Sequence, residues 1–417
     1  MKSYQSTLNQ LKNSKLTVKN EKVYLKDALN RISSDNIFSK ENYPSSNNTA
    51  FDGYAINSKE TKFLNNKKSK KFKIIKTLAA GDNPNIKKVP KFSTIEVMTG
   101  AIIKKPFDTV IPIEKVNLYP NKLKPKYIVL SKMIKKNQFI RFSGSDYKKG
   151  NKVIKKGQII TPSHILALKT LGIISIFVKK KPNIVFYPSG NELSETKKIL
   201  NWKIRNSNSI YLKSFIQNLP LNFKEKKILR DKDSTFFKRE IEKNIKSNSD
   251  LIISSGAVSA GKFDFIPSLI KKFKKKNFIK GVAIRPGKPF MFAKLKNNTY
   301  FFGLPGNPIS TVACFRFFVL PFLCNSLGLN SEKPIIAKLR NNFSKKKNFT
   351  RFIKGKVTFS KKGYAEFQVL KGQESYRISP FTESNAWGVF RDGKSSFKKG
   401  SHIECYSSSG FNEFLIN

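Results

Sequence analysis

A chain of 417 residues exceeds one ordinary hydrophobic core and is expected to divide into two to four domains. Its net charge of +54 comes from lysines spread over the whole length, with no basic tail or stripe and no recognisable nucleic-acid module, which argues for a solvated surface and against a nucleic-acid partner. Cys314, Cys324 and Cys405 show no CxxC spacing and His164 and His402 lie far apart, so a disulfide framework, a histidine zinc site and a Ser-His-Asp triad are all disfavoured. Any metal would then need oxygen ligands, which favours Mg²⁺.

Residues 4–36 carry helical spacing, with Leu8, Leu11, Val23, Leu25, Ala28, Leu29 and Ile32 as the expected buried face. The Pro/Ser/Asn cluster at Tyr43–Asn48 breaks that pattern. Short β-rich runs follow at Phe72–Ile75, Thr94–Met98, Thr109–Ile113 and Tyr127–Leu130. Residues 141–180, with Gly144, Gly150 and Gly157, a helix over Ser163–Leu171 and a strand over Ile173–Val178, read as a connector that folds back onto the first segments. From Pro182 strands and helices alternate: strand Ile184–Tyr187, helices over Ile204–Asn218 and Ser234–Lys246, strand Leu251–Ser254, a helix around Phe263–Lys274, strands through Val282 and Phe302, and helix Pro308–Leu327. After Lys333 the pattern returns to β, including Phe352–Phe359 and Ala365–Leu370.

The expected fold is therefore a multidomain α/β-plus-β chain. It consists of an N-terminal helical or extended segment (1–44), a β-rich domain (45–140), a connector (141–181), a central doubly wound α/β domain (182–331) and a C-terminal β domain (332–417). The apolar stretch Val312–Leu323 is interrupted by Arg316 and does not read as a membrane span. A cytoplasmic protein is expected.

Three glycine turns each follow an apolar run: Ser255–Lys262 after Leu251–Ile253, Arg285–Pro289 after Val282–Ile284, and Leu304–Pro308 after Tyr300–Gly303. If all three runs are strands of one sheet, the turns gather at its carboxyl edge, where phosphorylated ligands bind. Ser255, Gly256, Ser259 and Gly261 offer hydroxyls and unhindered backbone N–H groups to a phosphate. The loop lacks the Gly-Lys-Ser/Thr ending of a P-loop and does not match a dinucleotide fingerprint. Arg285 and Lys288 flank a rigid turn able to clamp an oxyanion. Gly306, Asn307 and Ser310 lie in a strand-to-helix connection. Four acids stand in comparable turns. Asp264 could cap a helix or hold a cation, Glu192 could be a ligand, a base or a cap, and Asp52 and Asp146 could simply cap turns.

In this order, Asn48–Ala55, Met98–Ala101, Arg141–Asp146, Gly190–Leu193, Ser255–Asp264, Pro286–Pro289 and Leu304–Ser310 resemble the molybdopterin molybdenumtransferase family, the MoeA type related to the gephyrin E domain. The resemblance covers nearly the whole chain. It implies that the central domain is MogA-like and molybdopterin-binding and that the C-terminal domain resembles a β-barrel. It also implies a Mg²⁺-dependent reaction in which adenylylated molybdopterin and molybdate are bound, AMP is released and molybdenum remains on the cofactor. A homodimer follows from it, with Asp52, Thr99 and Asp146 reaching in from the second subunit. Glu192, Asp231 and Asp264 would serve ligand and Mg²⁺, with Glu192 and Asp264 as the metal ligands. Arg285, Lys288, Pro289 and Ser310 would surround the oxyanion, and Arg351, Lys354 and Ser375 are the candidates from the C-terminal segment. The adenylyltransferase of the same pathway and acceptor molybdoenzymes are further partners the resemblance suggests.

The chain departs from the family pattern at Ala257, where a second glycine is usual, at Ala260, where a bulkier aliphatic is common, at Asn191, where an aspartate is usual, and at Arg285, where lysine is usual. Two other readings stay open. One is molybdopterin adenylylation, since the central domain also resembles those adenylyltransferases, and the other is a non-catalytic molybdopterin-binding scaffold. The full set of flanking domains favours the transferase.

Overall fold

In the central sheet, strands Asn183–Pro188, Asn222–Glu225, Leu251–Ser255 and Tyr300–Leu304 run parallel, and Met291–Leu295 and Lys274–Lys280 add an antiparallel edge. The computed structural model describes residues 1–65, 67–217, 219–247, 249–258 and 265–410. Side chains alternate across each strand. Ile184, Phe186, Leu251, Ile253, Phe292, Tyr300 and Phe302 enter one core, while Val185, Tyr187, Ile252, Met291, Ala293 and Phe301 enter a second. Both faces are covered by helices, which explains why these strands read as continuous apolar runs and not as alternating ones.

Helix Ser234–Lys246 forms over the span its pattern predicts. It puts Phe237, Ile241 and Ile245 on the second core, and helix Ile266–Phe273 adds Ile266, Leu269 and Ile270. Helix Ser207–Ile216 and the continuous helical run Pro308–Leu327 close the first core. By length and composition alone that run could cross a membrane, but 83% of its most apolar window is buried inside the protein. Its one interruption, Arg316, is 2% exposed. The guanidinium donates to both Glu332 carboxylate oxygens at 2.8 Å and to the Ser407 carbonyl at 3.0 Å, tying the helix to the C-terminal sheet.

Residues 4–36 do not form one helical stretch. The helix stops at Lys12, and Asn20–Tyr24 is a strand paired antiparallel with Ser175–Lys179. Asn13 and Ser14 end the helix, and β-branched Thr17, Val18 and Val23 favour the extended form that follows. Leu11, Leu25, Ala28 and Ile32 are buried as expected, whereas Leu29 is exposed. The short helix docks on the central domain: the Tyr4 ring packs edge-on against Phe317, Phe318 and Phe352.

Residues 141–180 do fold back on earlier segments, through Ile140–Arg141 on Asn48–Thr49, Lys152–Ile154 on Ile37–Phe38, and Ser175–Lys179 on Asn20–Tyr24. The β-rich region forms one six-stranded sheet from Gly53–Ile56 to Tyr127–Leu130, with cores on both faces. At the C-terminal end, Thr350–Phe359, Ala365–Val369, Ile335–Leu339, His402–Ser407 and Ala386–Phe390 pair in sequence and close back on the first strand. The result is a five-stranded barrel.

The run Val282–Ile284 corrects one expectation. Ile284–Arg285 does not join the central sheet but pairs parallel with Thr350–Phe359 of the barrel, with Arg285 opposite Arg351. The strands that complete the central sheet are Met291–Leu295 and Lys274–Lys280. The lysines of the latter sit on an exposed edge and mask it as a strand.

Candidate functional site

Strands Asn183–Pro188 and Leu251–Ser255 are neighbours, but the helices that follow them, Ser207–Ile216 and Ile266–Phe273, pack in the cores on opposite faces of the sheet, the arrangement that leaves a crevice at the strands' carboxyl ends. Three loops meet at that crevice through backbone hydrogen bonds. Ser189 N–H donates to the Ser255 carbonyl at 2.8 Å, Gly256 N–H to the Leu304 carbonyl at 2.9 Å, and Gly190 N–H to the Leu229 carbonyl at 3.0 Å. Asn208, from the start of helix Ser207–Ile216, donates to the Gly306 carbonyl at 2.9 Å and fixes the turn from behind. Ser255 itself is buried with its hydroxyl 3.4 Å from the same Asn208 amide. Gly256, Ala257 and Val258, and not Ser255, line the open side.

The crevice is a cavity of ≈ 380 Å³ walled by Glu192, Asp231, Gly256, Ala257, Gly306 and Asn307. Asn191 and Asp231 brace each other: the Asn191 amide donates to the Asp231 carboxylate at 2.7 Å, and Asp231 N–H returns to the Asn191 side-chain carbonyl at 3.1 Å. Arg230, which no sequence motif singled out, donates to the carbonyls of Gly190, Asn191 and Leu193 at 2.8, 3.2 and 3.0 Å. This fixes the loop that carries Glu192. The candidates Ser259, Gly261 and Asp264 lie outside the described residues.

A second cavity, ≈ 680 Å³, shares Pro289, Pro305 and Asn307 with the first. Its walls hold Arg285, Lys288, Ser310, Arg351 and Ser375 together with one carboxylate, Glu374, which pairs with Arg377 at 3.2 Å. No ion pair engages Arg285, Lys288 or Arg351 among the described residues. The Arg351 Nε is buried without a hydrogen-bond partner there. Burial, and secondarily the neighbouring Arg285, pull the Arg351 pKa below the ordinary arginine value. Three unpaired cations at a shared cleft suit a compact oxyanion. Lys354 is not in this set. Its side chain is 1% exposed and turned to backbone carbonyls.

Asp52 and Thr99 meet in the β-rich region, where Thr99 donates to one Asp52 carboxylate oxygen through N–H at 2.6 Å and through its hydroxyl at 2.8 Å. These bonds, the backbone one foremost, hold the exposed Asp52 carboxyl below its usual pKa. Because the folded pKa is depressed, the stabilisation is present above the ordinary carboxylate range and is lost as pH falls through the lowered value. Thr99→Val removes the hydroxyl bond but keeps the backbone one, and is expected to move the Asp52 pKa part of the way up toward the ordinary value, read by carbon-13 NMR titration; an unmoved pKa would exclude the hydroxyl as a contributor. Asp146 lies in the Arg141–Asp146 turn, its N–H bonded to the Tyr43 carbonyl at 3.1 Å. No hydrogen bond among the described residues joins Asp52, Thr99 or Asp146 to Glu192, Asp231 or Lys288.

A curated relative from Haemophilus influenzae, "Molybdopterin molybdenumtransferase", is 33% identical over 95% of both chains. The chain belongs to the molybdopterin molybdenumtransferase family. A Staphylococcus aureus protein of the same name is 30% identical over 92% of this chain and 90% of its own. Family descriptions match in three consecutive blocks: "MoeA N-terminal region (domain I and II)" over 2–172, "Probable molybdopterin binding domain" over 189–325 and "MoeA C-terminal region (domain IV)" over 336–407. Two crystal structures titled as the molybdopterin biosynthesis MoeA protein of Pyrococcus horikoshii superpose with TM-scores of 0.82 and 0.78. They are 24% and 26% identical and cover 98% and 97% of this chain and 99% of theirs.

Ala257 carries a visible conformational cost. It takes φ +52°, a left-handed backbone that disfavours any Cβ. Ala257→Gly is expected to stabilise the folded chain by roughly 1 kcal/mol, measured by denaturant unfolding; a loss of stability would show that the alanine methyl packs productively.

Proposed function

We propose that this chain transfers molybdenum from molybdate to adenylylated molybdopterin with release of AMP, in the cytoplasm. The observation that carries this reading is the pair of adjoining cavities. One is lined by Glu192, Asp231 and the glycine loops, the other by Arg285, Lys288 and Arg351, none of them in an ion pair among the described residues, with Glu374 beside them, and Pro289, Pro305 and Asn307 are common to both. The first suits the phosphate-rich ligand and the second the tetrahedral dianion, so the two reactants would meet across a shared wall.

The carboxylate cavity fits Mg²⁺. No group of three or more His, Cys, Asp or Glu side chains forms a metal cage among the described residues. Mg²⁺, however, is commonly held by one or two carboxylates plus substrate phosphates and water. Glu192 and Asp231 would hold it here, and when bound it would neutralise charge on the pyrophosphate. Asn191 and Arg230 keep these acids in place, while Lys288, Arg285 and Arg351 orient the oxyanion.

The family resemblance supports a homodimer in which Asp52, Thr99 and Asp146 of the second subunit complete the site; among the described residues no hydrogen bond joins them to Glu192, Asp231 or Lys288 within one chain. The purified protein is expected to release AMP from adenylylated molybdopterin only when molybdate is added, and to elute as a dimer in light-scattering chromatography. Consumption of ATP with molybdopterin alone would instead establish adenylylation. Binding of molybdopterin without AMP release under any condition would leave a scaffold.

A further inference from the structure

We infer that Lys354 is a positioning residue for the oxyanion: it does not touch the ligand but locks the loop that carries Ser375 into the cavity. The inference rests on the transferase reading above. Lysine is among the side chains least often fully buried, yet Lys354 is 1% exposed. No ion pair engages it among the described residues. Its ammonium donates to the carbonyls of Arg377 at 2.9 Å and Glu374 at 3.3 Å, the two sides of Ser375 and Tyr376. Burial depresses its pKa, with the nearby Arg377 acting in the same direction and Glu374 against it.

The same loop is gripped at its start. Lys354 N–H donates to the Gln373 side-chain carbonyl at 3.0 Å, and the Gln373 amide donates to the carbonyls of Lys354 at 2.9 Å and Leu370 at 2.7 Å. At its tip, Ser375 accepts from Asn307 at 3.1 Å, across the wall between the two cavities. Residues 373–376 all line the cationic cavity, but the loop contributes no strand or helix of its own. Its shape therefore depends on side-chain ties: the Lys354 ammonium reaches it from the barrel strand, beside the Glu374–Arg377 ion pair within the loop, whose partners are both about half exposed.

Arg351 and Lys354 thus divide the work along one strand, Thr350–Phe359: the first faces the anion and the second holds the opposite wall. A loosened loop would carry Ser375 away from the anion while leaving the carboxylate cavity untouched. The effect should fall on molybdate and spare the nucleotide.

The test is molybdate and AMP binding by calorimetry on the purified full-length chain, with steady-state kinetics alongside. Lys354→Met keeps the volume and removes the donors. It is expected to weaken molybdate binding about tenfold and raise its KM to match, with AMP binding and kcat at saturating molybdate little changed. Lys354→Arg is expected to recover part of the loss. Amide exchange of residues 372–377 is expected to accelerate in the Met variant. Should that variant not fold, Gln373→Ala loosens the loop from its other end and is expected to show the same molybdate-selective loss. Wild-type molybdate affinity in a folded variant, or equal losses of molybdate and AMP, would overturn the positioning role. Arg351→Ala separates the two levels: if it leaves molybdate binding intact, the cavity assignment itself fails. If it abolishes binding while Lys354→Met does not change it, only the positioning role fails.

Discussion

Lys288→Ala is expected to lower molybdate-dependent AMP release by about 10²–10³-fold, the usual consequence of deleting one preorganised group that faces developing or bound anionic charge. The melting temperature should be unchanged. The side chain is exposed at the mouth of the cationic cavity and belongs to none of the apolar clusters, so its removal leaves no void in a core. What it does remove is one of three cations, and the other two, Arg285 and Arg351, already stand opposite each other on paired strands. Lys288→Arg restores charge but not a compact ammonium, and should recover activity only in part. Steady-state AMP release with molybdate titrated, next to a thermal melt, checks both halves. Activity within twofold of wild type would remove Lys288 from the site.

Gly256→Ala is expected to cost roughly 2–4 kcal/mol of stability and to abolish AMP binding in whatever fraction folds. Gly256 has φ +91°, and a Cβ placed on it would stand 2.1 Å from the Ser189 carbonyl oxygen. The obstacle is backbone, so no rotamer change relieves it. Moving away would break the Gly256 N–H bond to Leu304 and disturb Gly306, which approaches the Gly256 Cα at 3.5 Å measured from its own ideal Cβ. Gly81 is the control. Its φ is +92° but nothing lies within 4 Å of its ideal Cβ, so Gly81→Ala should cost only the conformational part, about 1 kcal/mol. Denaturant unfolding of the two variants checks the difference; equal losses would mean that φ alone, and not the Ser189 contact, limits position 256.

Much of the central domain was legible because buried parallel strands and amphipathic helices leave strong local patterns. Ser234–Lys246 shows this best, with Phe237, Ile241 and Ile245 at helical spacing ending on one core. Lys274–Lys280 was illegible for a physical reason: an edge strand needs only half its residues inside, and here lysines fill most of the remainder. The run before the Arg285–Pro289 turn reads as a strand of the central sheet but joins the barrel, since a two-residue strand such as Ile284–Arg285 carries no information on its partner. The resemblance offers Lys354 as a site candidate, but no local pattern signals that it is buried with its ammonium on the Glu374 and Arg377 carbonyls.

The sequence by itself determined the family, the order of the motifs and the residue types that chemistry at an anionic ligand requires, because those depend on local turns, glycines and fixed charges. Only the tertiary structure decided that the glycine loops line two adjoining cavities, that Arg285 stands opposite Arg351 on paired strands, and that Arg230, Asn208 and Lys354 donate to backbone carbonyls of other loops. Each of those facts joins segments distant in the chain. Hydrogen bonds to backbone carbonyls, which any residue can offer, leave no mark in the sequence until the fold brings donor and acceptor together.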